Sequence, residues 1–235
     1  MVSVSTGRRG RSNPLGWFLG LCLRIVFWLA LAFVAATALY RFVPVPSTLM
    51  LGRWATFRTV ERDWVPLTEI SPHLIRAVIA SEDQRFCSHR GVDWIELNAV
   101  LDDEDGPSRG ASTLTMQTAK NVYLWPGRSY VRKGLEIPLA MALDLAWGKE
   151  RVMEVYLNVA EWGEGLFGAE AAARRYFGKP ASRLTPAEAA RLAGALPNPI
   201  LRNPARPSRA LQSASARVQR RMEQLGNLGD CAIPG

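Results

Sequence analysis

The chain has 235 residues, of which 48% are hydrophobic, and a formal net charge of +8 at pH 7. This apolar content excludes a disordered polyelectrolyte, because enough surface can be buried to offset the entropy of ordering, and the length suits one domain with an appendage. Three scattered cysteines and two histidines are too few for a zinc ribbon or a disulfide framework.

The first predicted element is an apolar helix that follows a cluster of arginines. Residues 1–24 contain four arginines and no acidic residue, and so supply +4 of the formal +8. The stretch 15–40 is interrupted by one charge, Arg24, and about 20 apolar residues suffice to cross a bilayer core. If the span runs from about residue 25 to 45, Arg24 lies near one end of it, where it can reach the headgroups. The basic cluster predicts a cytoplasmic N-terminus.

A cleaved signal peptide is the alternative interpretation of this region. Ala36-Thr37-Ala38 resembles a small-residue cleavage site, whereas the long, two-part apolar run favours an uncleaved anchor. Pro44-Val45-Pro46 then breaks the helix and predicts a short rigid linker. We therefore expect a basic tail over 1–14, a transmembrane anchor and linker over 15–45, and a separate domain over 46–235.

The remainder of the chain is predicted to be all-α. Ser71-Pro72 is an N-cap followed by proline at the first helical position, and it begins a helix to about residue 86. Ser112 begins a second helix to about 124, and Ser129 a third to about 148, with Pro138 inside it. Further helices are predicted over 149–161, 169–177, 185–196, where Thr185 begins a capping box, and 208–225.

Glu82 is the most unusual residue of the first of these helices. Ile75, Val78 and Ile79 define its apolar face, and Glu82 takes the next position on that face. A desolvated carboxylate has a raised pKa, which suits it to proton transfer near neutral pH. The plainer interpretation is a carboxylate that is paired internally. Asp83 follows directly, so the two could divide chemistry from orientation.

The second helix and the start of the third predict a polar and cationic surface. Thr113, Gln117, Lys120 and Asn121 share one helical face. Next come Arg128, Arg132, Lys133 and Glu136, of which the last three are spaced for ion pairs within one helix. The pattern fits either a solvated salt-bridge set or a pocket for a diphosphate. The acidic run 102–105 lacks the alternating ligand spacing of a calcium loop and is predicted to be a solvated loop.

Five segments, taken together, resemble the signatures of glycosyltransferase family 51, the peptidoglycan polymerases. The first is Glu82-Asp83-Gln84-Arg85-Phe86-Cys87-Ser88-His89-Arg90-Gly91, and the second is 110–121. The third is Arg132-Lys133-Gly134-Leu135-Glu136, the fourth covers 149–158, and the fifth covers 185–199. They occur in order over about residues 50–225. Because the chain ends at Gly235 with no transpeptidase segment, we expect a monofunctional member.

This resemblance implies a lysozyme-like helical glycosyltransferase domain, periplasmic and anchored by a single pass in the cell inner membrane. Its substrates would be lipid II and the growing undecaprenyl-diphosphate-linked glycan, joined by β-1,4 links with inversion. Glu82 would be the general base, and Glu136 would organise the cations or aid the leaving group. The implied substrate-binding residues are Asp83, Ser112, Thr113, Gln117, Lys120, Asn121, Arg128, Arg132 and Lys133.

Partners and cofactors are less fixed by the resemblance. The membrane is an expected partner, cell-wall synthase or divisome proteins are possible ones, and nucleic acid is not expected because the basic residues cluster beside the span. No cofactor is certain, no fixed metal ligand set is found, and a divalent cation is possible. Cys87 and Cys231 would share a compartment, but one sequence does not fix whether they pair.

Two positions depart from the family pattern. The dipeptide Met116-Gln117 stands where the family usually has two glutamines, so one substrate-facing amide is expected to be replaced by a thioether. Asp144 stands where glutamate is common. Two other functions remain open. One is a lysozyme-type hydrolase, which would have no need of a diphosphate pocket. The other is a non-catalytic wall-binding scaffold, which would leave Glu82 on an apolar face unexplained.

Overall fold

The computed structural model describes residues 14–102, 112–127 and 129–234. The predicted basic tail 1–14 is therefore described only from Pro14, and most of the acidic run 102–105, Gly110-Ala111 and Arg128 lie outside the described residues. The chain divides into two compact units, Met1–Phe42 and Val43–Gly235. Each is described by itself below.

The first unit contains one long helix, α1, over Pro14–Tyr40. It is long and apolar enough to cross a membrane, and most of its large apolar side chains are exposed. These properties are compatible with the predicted anchor. The helix covers the apolar stretch 15–40 of the sequence, and Arg24 lies inside it.

The second unit is all-α, as predicted, with a very small sheet. Its helices are α2 Thr48–Ala55, α3 Pro72–Glu82, α4 Trp94–Leu101, α5 Leu114–Tyr123, α6 Tyr130–Val159, α7 Ala169–Phe177, α8 Pro186–Ala195 and α9 Arg209–Leu225. Its strands are β1 Glu61–Arg62, β2 Glu161–Gly163 and β3 Leu166–Phe167. The strand order is β1-β3-β2, with β1 parallel and β2 antiparallel to β3, and Glu61 is paired with Leu166.

The helix starts follow the capping residues of the sequence. The hydroxyls of Ser71, Ser129 and Ser208 each accept a backbone N–H at the first turn of their helices, and Thr185 forms the predicted capping box with Glu188. The second predicted helix begins at Leu114, with Thr113 rather than Ser112 as its N-cap. The Thr113 hydroxyl accepts the N–H of Met116, and this bond fixes the boundary.

The predicted helices 129–148 and 149–161 form one element, α6, with a break at Gly148. Gly148 has φ 73° and ψ 175°, outside the helical region. A side chain at such a φ is strained, and glycine adopts it readily. Gly148 therefore divides α6 into two helical halves, and α6 packs along α5.

The core is formed around α3, which packs against α8 and α9, while α5 packs along α6. Ile75, Val78 and Ile79 of α3 are fully buried, which confirms the predicted apolar face. Each such side chain stabilises the fold by about 1.5–3 kcal/mol relative to an exposed position. Burial of this face fixes the orientation of α3 and carries its last residue, Glu82, to the edge of the core.

Cys87 and Cys231 form a disulfide, with their Cα atoms 5.7 Å apart. The bond joins the turn Phe86–Ser88, just after α3, to the final 3-10 segment Gly226–Ala232. The two cysteines are 144 residues apart in sequence. The pairing that the sequence left open therefore ties the C-terminus to the segment that follows Glu82.

Replacing both Cys87 and Cys231 with serine is expected to lower the free energy of unfolding by about 2–5 kcal/mol. The cross-link closes a long loop and so restricts the unfolded chain. Urea unfolding of the two-serine variant and of the parent measures the difference. Cys22→Ser is the matched control, since Cys22 is unpaired, and it should not change the midpoint. A two-serine variant as stable as the parent would contradict a structural role of the disulfide.

Candidate active site

Glu82 ends α3, at the point where the apolar face of that helix meets the start of α5. Its carboxylate accepts hydrogen bonds from the Ser81 hydroxyl at 3.1 Å and from the Gln117 amide Nε2 at 3.2 Å. Burial raises the pKa of Glu82, and the two hydrogen bonds and the charge of Lys120 oppose that rise only in part. Glu82 is thus a carboxylate with a raised pKa at the edge of the core.

Asp83 is a buried carboxylate that fixes the elements around Glu82. Both of its oxygens lie 3.0 Å from His89 Nε2, and Oδ2 also accepts the backbone N–H of Leu114 at 2.9 Å. The second contact places the carboxylate at the N-terminus of α5, where negative charge is favourable. In this arrangement Asp83 joins the end of α3 to the start of α5. This contact is compatible with an orienting role for Asp83 beside Glu82.

Lys149 and Asp144 support this junction from α6. The Lys149 ammonium donates to the His89 carbonyl at 2.7 Å and to Asp144 Oδ1 at 2.6 Å, and it lies over the Phe86 ring. Asp144 therefore serves as the partner of a structural lysine.

Gly91 allows α5 and α6 to approach the same loop. It has φ +78°, and a Cβ atom there would lie 2.6 Å from the Ala140 carbonyl oxygen. Its own carbonyl accepts the hydroxyl of Thr113 at 2.6 Å. Thr113 is buried and its hydroxyl is occupied by these backbone contacts, so the structure places this predicted site residue as a cap of α5.

The exposed edge of α5 carries Gln117, Lys120 and Asn121, all of which are half-buried. Met116 points the other way and is 0% exposed. The expected loss of a substrate-facing amide at Met116 is therefore wrong, because a side chain at this position lies in the core. The Asn121 side chain forms no hydrogen bond with a described residue, while its carbonyl accepts the Thr48 hydroxyl of α2 at 3.3 Å.

A cluster of cations surrounds Glu136 on the first half of α6. Glu136 is 2% exposed and is bonded to the Arg132 guanidinium, and the Lys133 ammonium lies 2.9 Å from its other oxygen. Lys133 also donates to the Ser112 hydroxyl at 2.6 Å. One buried carboxylate thus holds two cations in place. The sequence pattern left open a solvated salt-bridge set, whereas these ion pairs are largely buried.

Lys120 links this cluster to Glu82. Burial lowers the pKa of Lys120, while the charges of Glu136 and Glu82 favour its protonated form. Among the residues that the structure describes, the Lys120 ammonium has no hydrogen-bond or ion-pair partner. Arg132 Nε is likewise buried without a partner among them. The site therefore presents donors that a polyanionic group could occupy.

The structure brings most of the predicted site residues into two adjoining groups. The first contains Glu82, Asp83, Thr113 and Gln117, and the second contains Ser112, Lys120, Arg132, Lys133 and Glu136. Asn121 lies one turn beyond Gln117, and Arg128 lies outside the described residues. No group of three His, Cys, Asp or Glu residues that could hold a metal ion is present in the described ranges.

Three residues of the site are not among the predicted site residues. His89 lies against the Asp83 carboxylate. Ser81 and Tyr156 contact Glu82 and Gln117 directly, and no short-range pattern marks either of them. Tyr156 lies 39 residues from Gln117 in the chain, so only the packing of α6 on α5 brings them together.

The all-α, lysozyme-like domain holds a carboxylate of raised pKa, Glu82, close to a set of ordered cations, an arrangement suited to transfer of a sugar from a diphosphate. A family model described as Transglycosylase matches residues 50–223. The chain therefore belongs to the transglycosylase family.

Three relatives carry the name biosynthetic peptidoglycan transglycosylase. The protein of Brucella suis biovar 1 is 50% identical over 217 residues, which cover 91% of this chain and 97% of the relative. That of Rhodospirillum centenum is 53% identical over 198 residues, covering 83% and 86%. That of Agrobacterium fabrum is 50% identical over 194 residues, covering 82% and 86%.

Proposed function

We propose that this enzyme transfers the growing undecaprenyl-diphosphate-linked glycan to the 4-hydroxyl of lipid II, with inversion, to form a β-1,4 link. The observation that carries the proposal is the pairing of one carboxylate of raised pKa, Glu82, with the cation cluster that begins at Lys120. A direct displacement at a sugar carbon that bears a diphosphate needs two things: a base for the acceptor hydroxyl and stabilisation of the leaving diphosphate.

Glu82 is the general base in this mechanism. It takes the proton of the acceptor 4-hydroxyl as the acceptor oxygen forms its bond to C1 of the donor sugar. The bond from C1 to the diphosphate oxygen breaks at the same carbon, and the diphosphate leaves with the electron pair. Attack opposite to the leaving group converts an α-diphosphate into a β link. An ionised carboxylate with a raised pKa is a stronger base than an ordinary one.

Lys120, Arg132 and Lys133 stabilise the charge that develops on the departing diphosphate. Glu136 holds Arg132 and Lys133 in place before substrate arrives, so their reorganisation contributes little to the barrier. Arg128 is proposed as a further diphosphate ligand by position in the sequence. Gln117, Asn121 and Ser112 contact the substrate, while Asp83 and Thr113 act by fixing the start of α5.

The membrane is the proposed setting of the reaction. Both substrates carry long lipid chains, and α1 is compatible with a single-pass anchor. We propose an N-terminus in the cytoplasm and a catalytic domain in the periplasm, at the cell inner membrane, on the basis of the arginines that precede α1. Confinement of enzyme and substrates to one surface makes their encounter two-dimensional. Cell-wall synthase or divisome proteins are candidate partners.

Incubation of the purified full chain with lipid II, and separately with finished glycan strands, tests this function. We expect polymer from lipid II that lysozyme digests, and no cleavage of the finished glycan. Cleavage of glycan without polymerisation would indicate the hydrolase, and neither product would indicate the scaffold. A polymer that forms equally well with a divalent cation and with a chelator would exclude a metal requirement.

The rate of polymerisation is expected to depend on pH as a bell-shaped curve. Glu82 must be ionised to act as base, and its pKa is raised by burial, so the acid limb should lie above about 4.3, the value of a free glutamate. Lys120 must be protonated, and burial lowers its pKa, so activity falls again on the alkaline side. Measurement of kcat/KM against pH checks both limbs. An acid limb at the pKa of free glutamate would contradict the role of Glu82.

A further inference from the structure

Tyr156 lies behind the candidate base and touches it only through Gln117. Its ring is 2% exposed, in the second half of α6. Its hydroxyl donates to Gln117 Oε1 at 3.3 Å, and the Gln117 amide in turn donates to Glu82 Oε2 at 3.2 Å. Three side chains from α6, α5 and α3 thus form a continuous chain of hydrogen bonds that ends on the carboxylate.

The Gln117 amide has two possible orientations, which differ in the group that faces Glu82. In the observed one, Nε2 lies near two acceptors, Glu82 Oε2 and the Ser112 carbonyl, the latter at 3.5 Å. The amide oxygen is then left to face the interior, where the Tyr156 hydroxyl is its donor. Without that hydroxyl the oxygen of this half-buried side chain would lose its donor, which favours rotation of the amide away from Glu82.

We propose that Tyr156 is a positioning residue for glycosyl transfer: it holds the Gln117 amide so that an N–H remains bonded to the ionised form of Glu82. The inference rests on the proposed function, because it assigns Glu82 the role of base. It adds a residue that touches neither substrate nor the reacting atoms.

The chemistry of Tyr156 suits this role. Burial, and secondarily the negative charge of Glu82, raises the pKa of its phenol well above the ordinary value. The phenol therefore stays protonated across the working pH range and remains a donor. A hydrogen bond to the ionised carboxylate lowers its pKa, in opposition to the effect of burial. The chain from Tyr156 thus limits how far burial can raise the pKa of Glu82.

The test is Tyr156→Phe, which keeps the ring and removes the hydroxyl. We expect the acid limb of kcat/KM to move upward by about half a unit to one unit, as the carboxylate loses the bond that favours its ionised form. The loss of rate should be several-fold at low pH and should shrink at high pH, with KM little changed. In a Gln117→Leu background, Tyr156→Phe should cause no further shift, since the link is already broken.

Tyr176→Phe is the matched control. Tyr176 is also a partly buried tyrosine, and its hydroxyl donates to the Trp162 carbonyl at 2.9 Å, away from Glu82. This control should leave the acid limb in place. A purely structural role of Tyr156 would lower the rate equally at every pH, and an unmoved acid limb in Tyr156→Phe would overturn the proposal.

A second readout does not depend on polymerisation. Titration of the 13C-labelled carboxylate of Glu82 in the full chain, assigned by its absence in Glu82→Gln, should show the same upward shift in Tyr156→Phe and in Gln117→Leu. If Tyr156→Phe does not fold, Gln117→Leu alone must still show the shift, and an unchanged titration there overturns the proposal. If the Glu82 titration shifts in the variants but the parent protein makes no polymer, the proposed function is refuted and the role of the hydrogen-bond chain still holds.

Discussion

Replacing Glu82 with glutamine is expected to slow the polymerisation of lipid II roughly 10²- to 10⁴-fold, the usual contribution of a general base. The amide keeps the size of the side chain but cannot take the proton of the acceptor hydroxyl. Substrate binding should change little, so the loss should fall on kcat. Initial rates with purified full chain at saturating lipid II measure it.

The same substitution should not destabilise the fold. The folded-state pKa of Glu82 is raised, so the ionised carboxylate lowers the free energy of unfolding progressively as the pH rises from the unfolded pKa through the folded one. Glutamine removes that cost, and its melting temperature at neutral pH should equal or exceed that of the parent. Near-normal turnover by Glu82→Gln would contradict the assignment of the base.

Glu154→Gln is the matched control for a glutamate that serves structure. Glu154 accepts the backbone N–H of Leu67 at 3.2 Å and pairs with Arg151. We expect this variant to melt at a lower temperature and to keep the turnover of its folded fraction. Glu82→Gln should thus lose activity and keep stability, whereas Glu154→Gln should lose stability and keep activity.

Replacing Lys120 with methionine is expected to reduce kcat/KM by about 10²- to 10³-fold, the usual effect of removing one donor to a developing negative charge. Methionine keeps the length of the side chain and removes the charge. Because Lys120 is desolvated and its pKa is lowered by burial, the fold should be no less stable without the charge. The alkaline limb of the pH profile should also disappear.

Lys179→Met is the control for a lysine outside the site. Lys179 pairs with Glu188 at 2.8 Å on the side of the domain formed by α8. This change should leave the rate of polymerisation unaltered. Equal losses of melting temperature and activity in Lys120→Met would instead indicate that Lys120 belongs to a structural ion-pair set.

Local signals in the sequence were enough to predict most helices and the candidate base. Capping residues such as Ser71 and Thr185 act within one turn, so the boundaries that they set are visible in a single stretch of chain. The position of Glu82 on an apolar face is likewise a local pattern, and the burial of Ile75, Val78 and Ile79 confirms it.

Other features depend on contacts between distant parts of the chain. The helices α2 and α4 and the three short strands were not predicted. A strand such as β1 has only two residues and exists through its pairing with β3. The orientation of Met116 was mispredicted, since the periodicity of α5 does not show which side α6 covers. The contacts of Asp83 with His89 and Leu114, and of Tyr156 with Gln117, also arise only on folding.

The most direct test of inverting transfer with Glu82 as the base follows the anomeric carbon during the reaction. Lipid II labelled with 13C at the C1 atom bonded to the diphosphate is incubated with the purified full chain and with Glu82→Gln. We expect a single β-linked signal to grow in the parent reaction as the α-diphosphate signal falls, with one α-diphosphate kept at the last-added unit of each strand, and almost no conversion by Glu82→Gln. An α link in the product, or equal conversion by Glu82→Gln, would contradict direct displacement driven by Glu82.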